Sequence, residues 1–557
     1  MRRNTLLLLT ALIAPLPLAA HAQDMPWALT NARIETVGRG TIAKGTIVIR
    51  NGLIAAVGAN VAVPPDARVV DLTGRTVYPG IIDLTSTIGL PSQTSSGGGA
   101  GQRGGPGAGQ SDDDPPGLTP QRSVAEELRG AAADARAARE AGITAALVAP
   151  TRGAFRGMAA LVPMRDSLDE RVLRTPVALA MGFQGVSGRY PQTLLGVIAY
   201  ERQAMYDAQR YGLVMDRWRA NPRGLERPAF DPALEALVPV VRQQRPVFFW
   251  ADDENEIRRA VRLAKEFDLS LTVVGATEGF RATDALAGRT AIVSVNFPRP
   301  PSVTGWHFQY ATRRAPDDSA KADSAARIVI EGNAAALHQA GVRFALASGG
   351  LRAGEFLTNV RKAVERGLPR DVALAAITQR AAELAGAGDM LGTIETGKIA
   401  NLVVTENDLL SDSARIRMVF VDGIRTDVTA PPAGARGRRA VGAGAAGAGA
   451  AAVAQIGGTW EMTVNTSQGA STSTVTITQD GTTFRGVSVS EFGRIEFSDG
   501  RIEGRRMTWS ATLTTSGQTI PLTFDGMLEG DGADRLVGSV GLGPMGNAEF
   551  TARRTSP

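Results

Sequence analysis

Short apolar strands alternate with helical segments between residues 79 and 390, and this alternation constrains the fold more than any other feature of the chain. The strand candidates are short runs rich in apolar residues, at 142–148, 246–250, 271–275, 291–295 and 342–348. Helical runs separate or follow them, including 124–141 and 370–385. Because repeated β–α units build a parallel sheet covered by helices, the sequence predicts an α/β fold of the (β/α)8 barrel type.

Residues 78–87 read Tyr-Pro-Gly-Ile-Ile-Asp-Leu-Thr-Ser-Thr. They resemble the first barrel strand of the amidohydrolase superfamily, whose usual sequence motif is Pro-Gly-x-Ile-Asp-x-His-x-His. Residues 391–404 are similar to the superfamily segment Gly-x-Ile-x-x-Gly-Lys-x-Ala-Asp-Leu, and residues 377–386 to Thr-x-Asn-x-Ala-x-x-Leu-Gly. Residues 190–211 resemble a segment of exported bacterial members. The resemblance covers residues 27–428 and implies a TIM-type barrel that hydrolyses C–N bonds with zinc or another divalent metal.

The flanks of the predicted barrel carry short alternating strands, two of them joined by Asn51-Gly52, a dipeptide typical of a tight hairpin. In the superfamily, the two ends of the chain build one small β-sandwich beside the barrel. The resemblance therefore implies a composite sandwich from residues 27–78 and 391–428, and a barrel over residues 79–390.

The positions at which the superfamily carries metal ligands have changed in this chain. By resemblance, these positions at the barrel mouth hold Thr85, Thr87, Trp250, Gly275 and Ser348. Neutral hydroxyls do not replace imidazole or carboxylate as zinc ligands, and the chain has only three His and no Cys in 557 residues. No lysine stands out as a bridging ligand. We expect a degenerate site with no metal and no other cofactor.

Other polar residues near the predicted strand ends have two interpretations. Asp252, Asp253 and Glu278 could form an acidic pocket for a hard cation or a metal-free general acid/base pair. Alternatively, they are charges at helix N-termini that face solvent. His307, within the aromatic-rich residues 305–310, either lines a ligand pocket or has a structural role. The other histidine of the mature chain, His338, lies in a helical run and is predicted to be structural.

The N-terminus has the features of a secretory signal over residues 1–22. Arg2 and Arg3 precede an apolar segment, and Ala20-His21-Ala22 forms a small-x-small cleavage site. The apolar segment contains two prolines and is too short to span a membrane, and no later stretch qualifies. We therefore expect a periplasmic or secreted protein with no transmembrane span. Its lack of cysteine excludes disulfides and thiolate catalysis.

Composition marks the remaining boundaries. Residues 92–120 are rich in Gly, Pro and Ser and are predicted to form a mobile, disordered loop. Residues 429–456 are rich in Ala and Gly and are predicted to form a linker. Residues 457–557 have about eight short alternating strands, typical of a lipocalin-like all-β barrel or of a sandwich. Such a domain could hold a small apolar ligand, bind a partner or pack its own core.

The formal charge of +5 comes mostly from scattered arginines without a nucleic-acid-binding motif, and we expect no nucleic-acid partner. Two functional hypotheses remain open. The first is an exported hydrolase of C–N bonds in peptide-like or non-peptide amides, with one weakly held metal or none. The second is a pseudoenzyme that binds an unknown small molecule or supports an active amidohydrolase paralogue. The incomplete ligand set favours the second, because metal-dependent hydrolysis needs a cation to acidify water.

Overall fold

The computed structural model describes two compact units, one within residues 25–428 and one within residues 455–556. The described ranges are 25–91, 117–168, 171–185, 190–297, 327–428, 455–466, 469–490, 493–503, 505–515, 518–529, 534–541 and 547–556. Several predicted features lie outside them: the signal segment 1–22, residues 92–116 of the predicted loop, residues 429–454 of the predicted linker, and His307.

The two ends of the first unit build one eight-stranded sheet. Its strands are β1 (Trp27–Glu35), β2 (Thr41–Arg50), β3 (Leu53–Gly58), β4 (Arg68–Asp71), β5 (Arg75–Pro79), β15 (Leu402–Glu406), β16 (Arg415–Val421) and β17 (Ile424–Asp427). The order is β17-β16-β15-β5-β1-β2-β3, with β4 also paired to β1. Asn51 and Gly52 join β2 to β3 with φ angles of 52° and 77°, the positive values that a type I′ hairpin turn requires.

Among the described residues, nine short strands form the centre of this unit. They are β6 (Ile81–Ser86), β7 (Ile143–Val148), β8 (Phe155–Met158), β9 (Ala160–Pro163), β10 (Leu179–Gly182), β11 (Val247–Ala251), β12 (Leu271–Gly275), β13 (Thr290–Ser294) and β14 (Arg343–Ala347). They make two sheets in the described chain, one in the order β6-β7-β9 and one in the order β14-β13-β12-β11-β10-β8. The predicted alternation of parallel strands and helices is confirmed for most of this region.

The predicted uniform (β/α)8 ring needs correction at residues 155–163. This segment runs antiparallel to both of its neighbours: its first half, β8, pairs with β10, and its second half, β9, pairs with β7. It thereby connects the two sheets at Ala159, whose N–H donates to the carbonyl of Ala178 at 2.9 Å. The pattern of apolar residues could not reveal the reversal, because a strand buried on both faces reads the same in either direction.

Helices cover the outside of these strands. They are α1 (Val124–Glu127), α2 (Ala132–Glu140), α3 (Leu194–Ala220), α4 (Pro232–Val241), α5 (Glu254–Glu266), α6 (Thr283–Leu286), α7 (Asn333–Gln339), α8 (Ala353–Glu365), α9 (Arg370–Ile377) and α10 (Gln379–Leu384), with a 3-10 turn at Gly279–Arg281. No helix in the described part of the chain combines the length and apolarity that crossing a bilayer requires.

Two helices predicted as continuous are interrupted. The run 124–141 breaks because the N–H of Arg129 donates to the carbonyl of Gly89 at 2.8 Å instead of continuing the helix. The run 370–385 breaks at Thr378, whose φ and ψ of −129° and −88° are not helical. Its hydroxyl donates to the carbonyl of Leu374 at 2.6 Å. Hydrogen bonds that do not belong to the backbone pattern of the helix thus determine where both predicted helices break.

Alternation along the central strands divides the core into an outer and an inner layer. On β11, Val247, Phe249 and Ala251 pack with the helices, whereas Phe248 and Trp250 belong to the inner cluster. The inner cluster also contains Ile82 and Leu84 from β6. Successive side chains of a strand point to opposite faces, so this register directs Trp250 into the space that the strands enclose.

The second unit is a closed antiparallel barrel of eight consecutive strands. They are β18 (Gly458–Thr466), β19 (Gly469–Asp480), β20 (Thr483–Ser490), β21 (Gly493–Glu503), β22 (Arg506–Thr515), β23 (Gln518–Glu529), β24 (Arg535–Gly541) and β25 (Asn547–Ser556). The predicted all-β barrel is confirmed. Buried aromatic rings fill its interior, and Trp509 stacks on Phe524 with ring centroids 4.6 Å apart. The domain was predicted to hold a small apolar ligand, to bind a partner or to pack its own core. The described residues favour the third of these roles.

Candidate functional site

The ends of β6 and β14 meet at the carboxyl edge of the central strands. Asp83 on β6 accepts hydrogen bonds at Oδ1 from the N–H of Ser348, at 2.9 Å, and from the N–H of Thr85, at 3.2 Å. Its Oδ2 accepts one from Oγ of Ser348 at 2.7 Å. The Thr85 hydroxyl in turn accepts the N–H of Gly349 at 2.7 Å. In the described chain these strands share no hydrogen-bonded ladder, so the side chains provide the connection.

Asp83 is 6% exposed. Burial raises the pKa of its carboxyl, and the hydrogen bonds from Ser348 and Thr85 oppose that rise. Both carboxyl oxygens already have donors in the protein. Asp83 is therefore a structural acceptor that joins two strand ends, rather than a free ligand at the mouth.

The positions that match the superfamily's metal ligands do not fit a zinc ion. Thr85 and Ser348 are neutral hydroxyls engaged with Asp83 and Gly349, and Thr87 is exposed just beyond β6. Zinc sites need imidazole, thiolate or carboxylate ligands. Within the described ranges, no group of three or more His, Cys, Asp or Glu residues could hold a metal ion.

Gly275 is the last residue of β12 and has a φ of 95°. The atoms beside it explain why no larger residue stands at this position. A Cβ atom at this position would lie 2.3 Å from Oδ1 of Asp252. Asp252 is held there by the Thr277 hydroxyl, which donates to Oδ1 at 2.8 Å. A histidine at position 275 would collide with this carboxylate, so the mouth is built around Asp252 instead of a ligand on β12.

The other acidic candidates lie close to one another in the chain, but each has a local role. Asp253 is the N-cap of α5 and accepts the N–H of Glu256 at 2.9 Å. Glu278 accepts the N–H of Glu254 at 3.3 Å and lies 3.6 Å from Arg281. These contacts are those of charges at helix N-termini. Asp252 is exposed and contacts Thr277, whereas the half-buried His338 lies on α7.

The sequence analysis did not predict the buried arginine that lies at the barrel mouth. Arg156 is 6% exposed, and its guanidinium carbon lies 5.0 Å from the ring centroid of Trp250. A Cβ atom at Gly182, the last residue of β10, would lie 2.3 Å from its Nη2. The guanidinium therefore occupies the space between the ends of β10 and β11. Burial lowers its pKa to about 10, opposed by the nearby charges of Glu201, Asp252 and Glu256, so it is protonated at neutral pH.

Glu201 on α3 is fully buried, and its carboxyl interacts electrostatically with Arg156. Burial raises the pKa of its carboxyl well above the ordinary value, and the charge of Arg156 opposes the rise. Neither carboxyl oxygen has a hydrogen-bond partner among the residues that the structure describes. The one signal in the sequence was a charged residue inside an otherwise apolar strand, Phe155-Arg156-Gly157-Met158, since charged side chains are rarely buried unless they are paired.

Comparison with known proteins supports the resemblance seen in the motifs. Residues 245–425 match the model of the amidohydrolase family. An amidohydrolase structure from Thermotoga maritima MSB8 is 22% identical, with a TM-score of 0.58 over 72% of this chain and 98% of that one. At this identity the likeness shows the fold, a TIM-barrel domain.

Two further structures are more distant. A putative prolidase from Bifidobacterium longum is 16% identical, with a TM-score of 0.44 over 72% of this chain and 95% of that one. A dihydropyrimidinase from Brevibacillus agri NCHU1002 is 12% identical, with a TM-score of 0.39 over 72% of this chain and 95% of that one. No curated protein matches the sequence.

Proposed function

We propose that this chain, which belongs to the amidohydrolase superfamily, is an exported pseudoenzyme that binds a small molecule at its barrel mouth without metal-dependent hydrolysis. The superfamily is one of C–N bond hydrolases. The observation that carries the proposal is the pairing of Asp83 with Ser348 and Thr85. Thr85 and Ser348, which match ligand positions, hold two strands together through Asp83, and each oxygen of that carboxylate already accepts a hydrogen bond.

Two further features support the loss of metal chemistry. Asp252 occupies the volume that a side chain at position 275 would need. Trp250 occupies a position at which the superfamily has a histidine, and the guanidinium of Arg156 lies over its ring. A divalent cation beside this fixed positive charge would be repelled, and Arg156 has no lone pair with which to bind it.

The proposal is tested by assaying the purified mature protein against cyclic amides and dipeptides, with and without added zinc. We expect no turnover above that of a matched preparation of the Asp83→Asn variant. Zinc-dependent turnover that this substitution abolishes would establish the second candidate, a C–N bond hydrolase, which the family match favours.

Export is part of the proposal and rests on the composition of residues 1–22. Mass spectrometry of the protein recovered from a periplasmic or secreted fraction should show a mature chain beginning at Gln23. A chain that retains Met1 in the cytoplasmic fraction would contradict export.

A role as partner of an active amidohydrolase paralogue is a further part of the proposal. It requires a neighbouring gene that encodes a chain with an intact His-x-His motif. Co-expression of the two chains followed by size-exclusion chromatography should give a joint peak. Separate elution at micromolar concentrations would leave ligand binding as the function.

A further inference from the structure

Large apolar side chains are exposed along α3 and in the loop that follows it. Of the 17 large apolar side chains that are exposed in the described chain, eight lie within residues 190–230. They are Tyr190, Leu194, Leu195, Tyr206, Leu213, Val214, Leu225 and Phe230. Single exposed apolar residues are common on protein surfaces, but their concentration in one segment indicates a site of contact with another protein or with a membrane.

Three of these side chains lie on one face of α3. At about 100° per residue, Leu195, Tyr206 and Leu213 project within about 20° of one another. They are 79%, 50% and 71% exposed. The buried residues of α3, among them Ala204 and Met215, lie on the opposite face. The three residues therefore form an apolar stripe that is turned away from the core.

Three arginines accompany the apolar stripe. Arg202, Arg210 and Arg217 are exposed and lie within about 50° of its centre. Arg202 pairs with Glu266, which lies 2.7 Å away at the end of α5. Arg210 and Arg217 form no ion pair with any residue that the structure describes. Two positive charges on this face of the helix are therefore left uncompensated.

The carboxylates of α3 lie farther from the apolar stripe than these arginines. Asp216 projects about 70° from the centre of the stripe and pairs with Arg242. Asp207 projects about 110° away, is half-buried and accepts a hydrogen bond from Gln203 at 2.9 Å. The side chains around the stripe are thus apolar, uncharged or basic, and the face carries a net positive charge.

This combination fits the surface of an anionic lipid bilayer. In the headgroup region of a bilayer, leucine and tyrosine side chains reach the acyl boundary, and arginine forms charge-assisted hydrogen bonds to lipid phosphates. The stripe runs straight along the helix for about 27 Å from Leu195 to Leu213, which suits a flat surface. A second copy of the chain would bring one basic face against another, so like charges oppose self-association through this face.

We propose that the outer face of α3 binds the surface of an anionic membrane. Leu195, Tyr206 and Leu213 enter the headgroup region, and Arg210 and Arg217 bind lipid phosphates. The binding is peripheral and reversible, because the buried face of the helix stays packed on the protein. The inference concerns a different surface from the barrel mouth and does not depend on the function proposed for it.

The test is co-sedimentation of the mature protein with large unilamellar vesicles. One set contains equal parts of phosphatidylcholine and phosphatidylglycerol, and the other contains phosphatidylcholine alone. We expect binding to the anionic vesicles, roughly tenfold or more weaker binding to the neutral ones, and release as the salt concentration rises. Absence of binding to the anionic vesicles would overturn the proposal, as would equal binding to both sets.

Substitution of the leucines assigns the apolar part of the contact. The double variant Leu195→Ser, Leu213→Ser should bind the anionic vesicles roughly tenfold or more weakly, because less apolar surface enters the bilayer. The matched control is Val69→Ser, Ile424→Ser, which changes two exposed apolar residues of the eight-stranded sheet and should leave binding unchanged. Equal affinities of the two double variants would contradict the assignment to α3.

Substitution of the arginines assigns the electrostatic part. At about fivefold for each charge, the double variant Arg210→Gln, Arg217→Gln should bind roughly 25-fold more weakly. The control Arg485→Gln, Arg501→Gln removes the same charge from exposed positions of the C-terminal barrel and should have a much smaller effect. Equal effects of the two pairs would show that net charge alone attracts the protein and would overturn the site. If the leucine variant unfolds, the arginine pair decides the outcome.

Sedimentation velocity without lipid tests whether a second copy of the chain covers the apolar stripe. We expect no association through this face at micromolar concentrations, so the parent protein and Leu195→Ser, Leu213→Ser should sediment alike. A dimer of the parent protein that the leucine substitutions dissociate would show that the stripe is a protein interface and would overturn the membrane assignment.

Discussion

Ser348 donates two hydrogen bonds to Asp83, from its backbone N–H at 2.9 Å and from its hydroxyl at 2.7 Å. These bonds join the first central strand to the last, where the described chain has no backbone ladder between them. A carboxylate and a hydroxyl thus make the connection at the edge where the superfamily's metal ligands would stand.

Replacement of Ser348 by Asp, the residue of the superfamily, should destabilise the protein. It would put a second carboxylate against the buried Asp83 and remove the hydroxyl donor, and like charges in one site disfavour ionisation. We expect Ser348→Asp to be about 3 kcal/mol less stable at neutral pH than Ser348→Asn, the uncharged control of equal size. Urea unfolding measures the difference, which should shrink in acid as the carboxyls become protonated. Equal stabilities at neutral pH would contradict this role of the pair.

The raised pKa of the buried Glu201 carboxyl predicts a pH dependence of stability. Its folded-state pKa lies well above the ordinary value of 4.5 because the carboxyl is buried. The stability linked to this raised pKa is fully present below the unfolded pKa and is lost as the pH rises through the folded one. The variant Glu201→Gln does not titrate.

The free energy of unfolding of Glu201→Gln should therefore increase relative to the parent protein as the pH rises above the ordinary value of 4.5. Urea titrations at a series of pH values measure both proteins, and Glu140→Gln on the exposed end of α2 is the control. Parallel pH profiles for the parent and Glu201→Gln would contradict a raised pKa at this position.

We predict that the protein needs a glycine at position 275 for its full stability. Gly275→Ala adds a Cβ atom 2.3 Å from Asp252 at a positive φ, whereas Gly288→Ala adds one at φ 69° in open space. Both substitutions carry the backbone cost, but only the first carries the collision. Gly275→Ala should be about 1–3 kcal/mol less stable than Gly288→Ala by thermal or urea unfolding. The extra loss should diminish in an Asp252→Ala background, and equal losses would mean that Asp252 moves away freely.

The C-terminal barrel is predicted to fold by itself. Every residue of its buried cluster lies between Ile456 and Ala552, and its eight strands close on each other. A fragment of residues 455–557 should show a cooperative thermal transition by circular dichroism. Trp509→Ala should reduce its stability by about 3–5 kcal/mol, because the indole contacts several rings of the core. A fragment without a cooperative transition would show that this core needs the remainder of the chain.

The sequence predicted the parts of the fold that depend on local chemistry. Asn51-Gly52 forms the expected hairpin, and Thr85 and Ser348 lie together at one edge because both stand at the carboxyl ends of parallel strands. Prediction failed where the structure depends on contacts between residues that are distant in the sequence. The apolar residues of β8 and β9 do not encode strand direction, so nothing placed Arg156 at the mouth. Glu201 senses the charge of Arg156, 45 positions away in the sequence, because α3 lies against β8, where the rings of Tyr200 and Phe155 are 6.4 Å apart.

The zinc content of the purified protein shows whether the barrel holds a metal ion. Protein produced in zinc-supplemented medium and dialysed should contain far less than about one zinc per chain by elemental analysis. EDTA should leave its thermal midpoint unchanged, since only an ion bound to the native state stabilises it. About one zinc per chain retained through dialysis, with a lower midpoint in EDTA, would contradict a metal-free barrel and establish a metal centre.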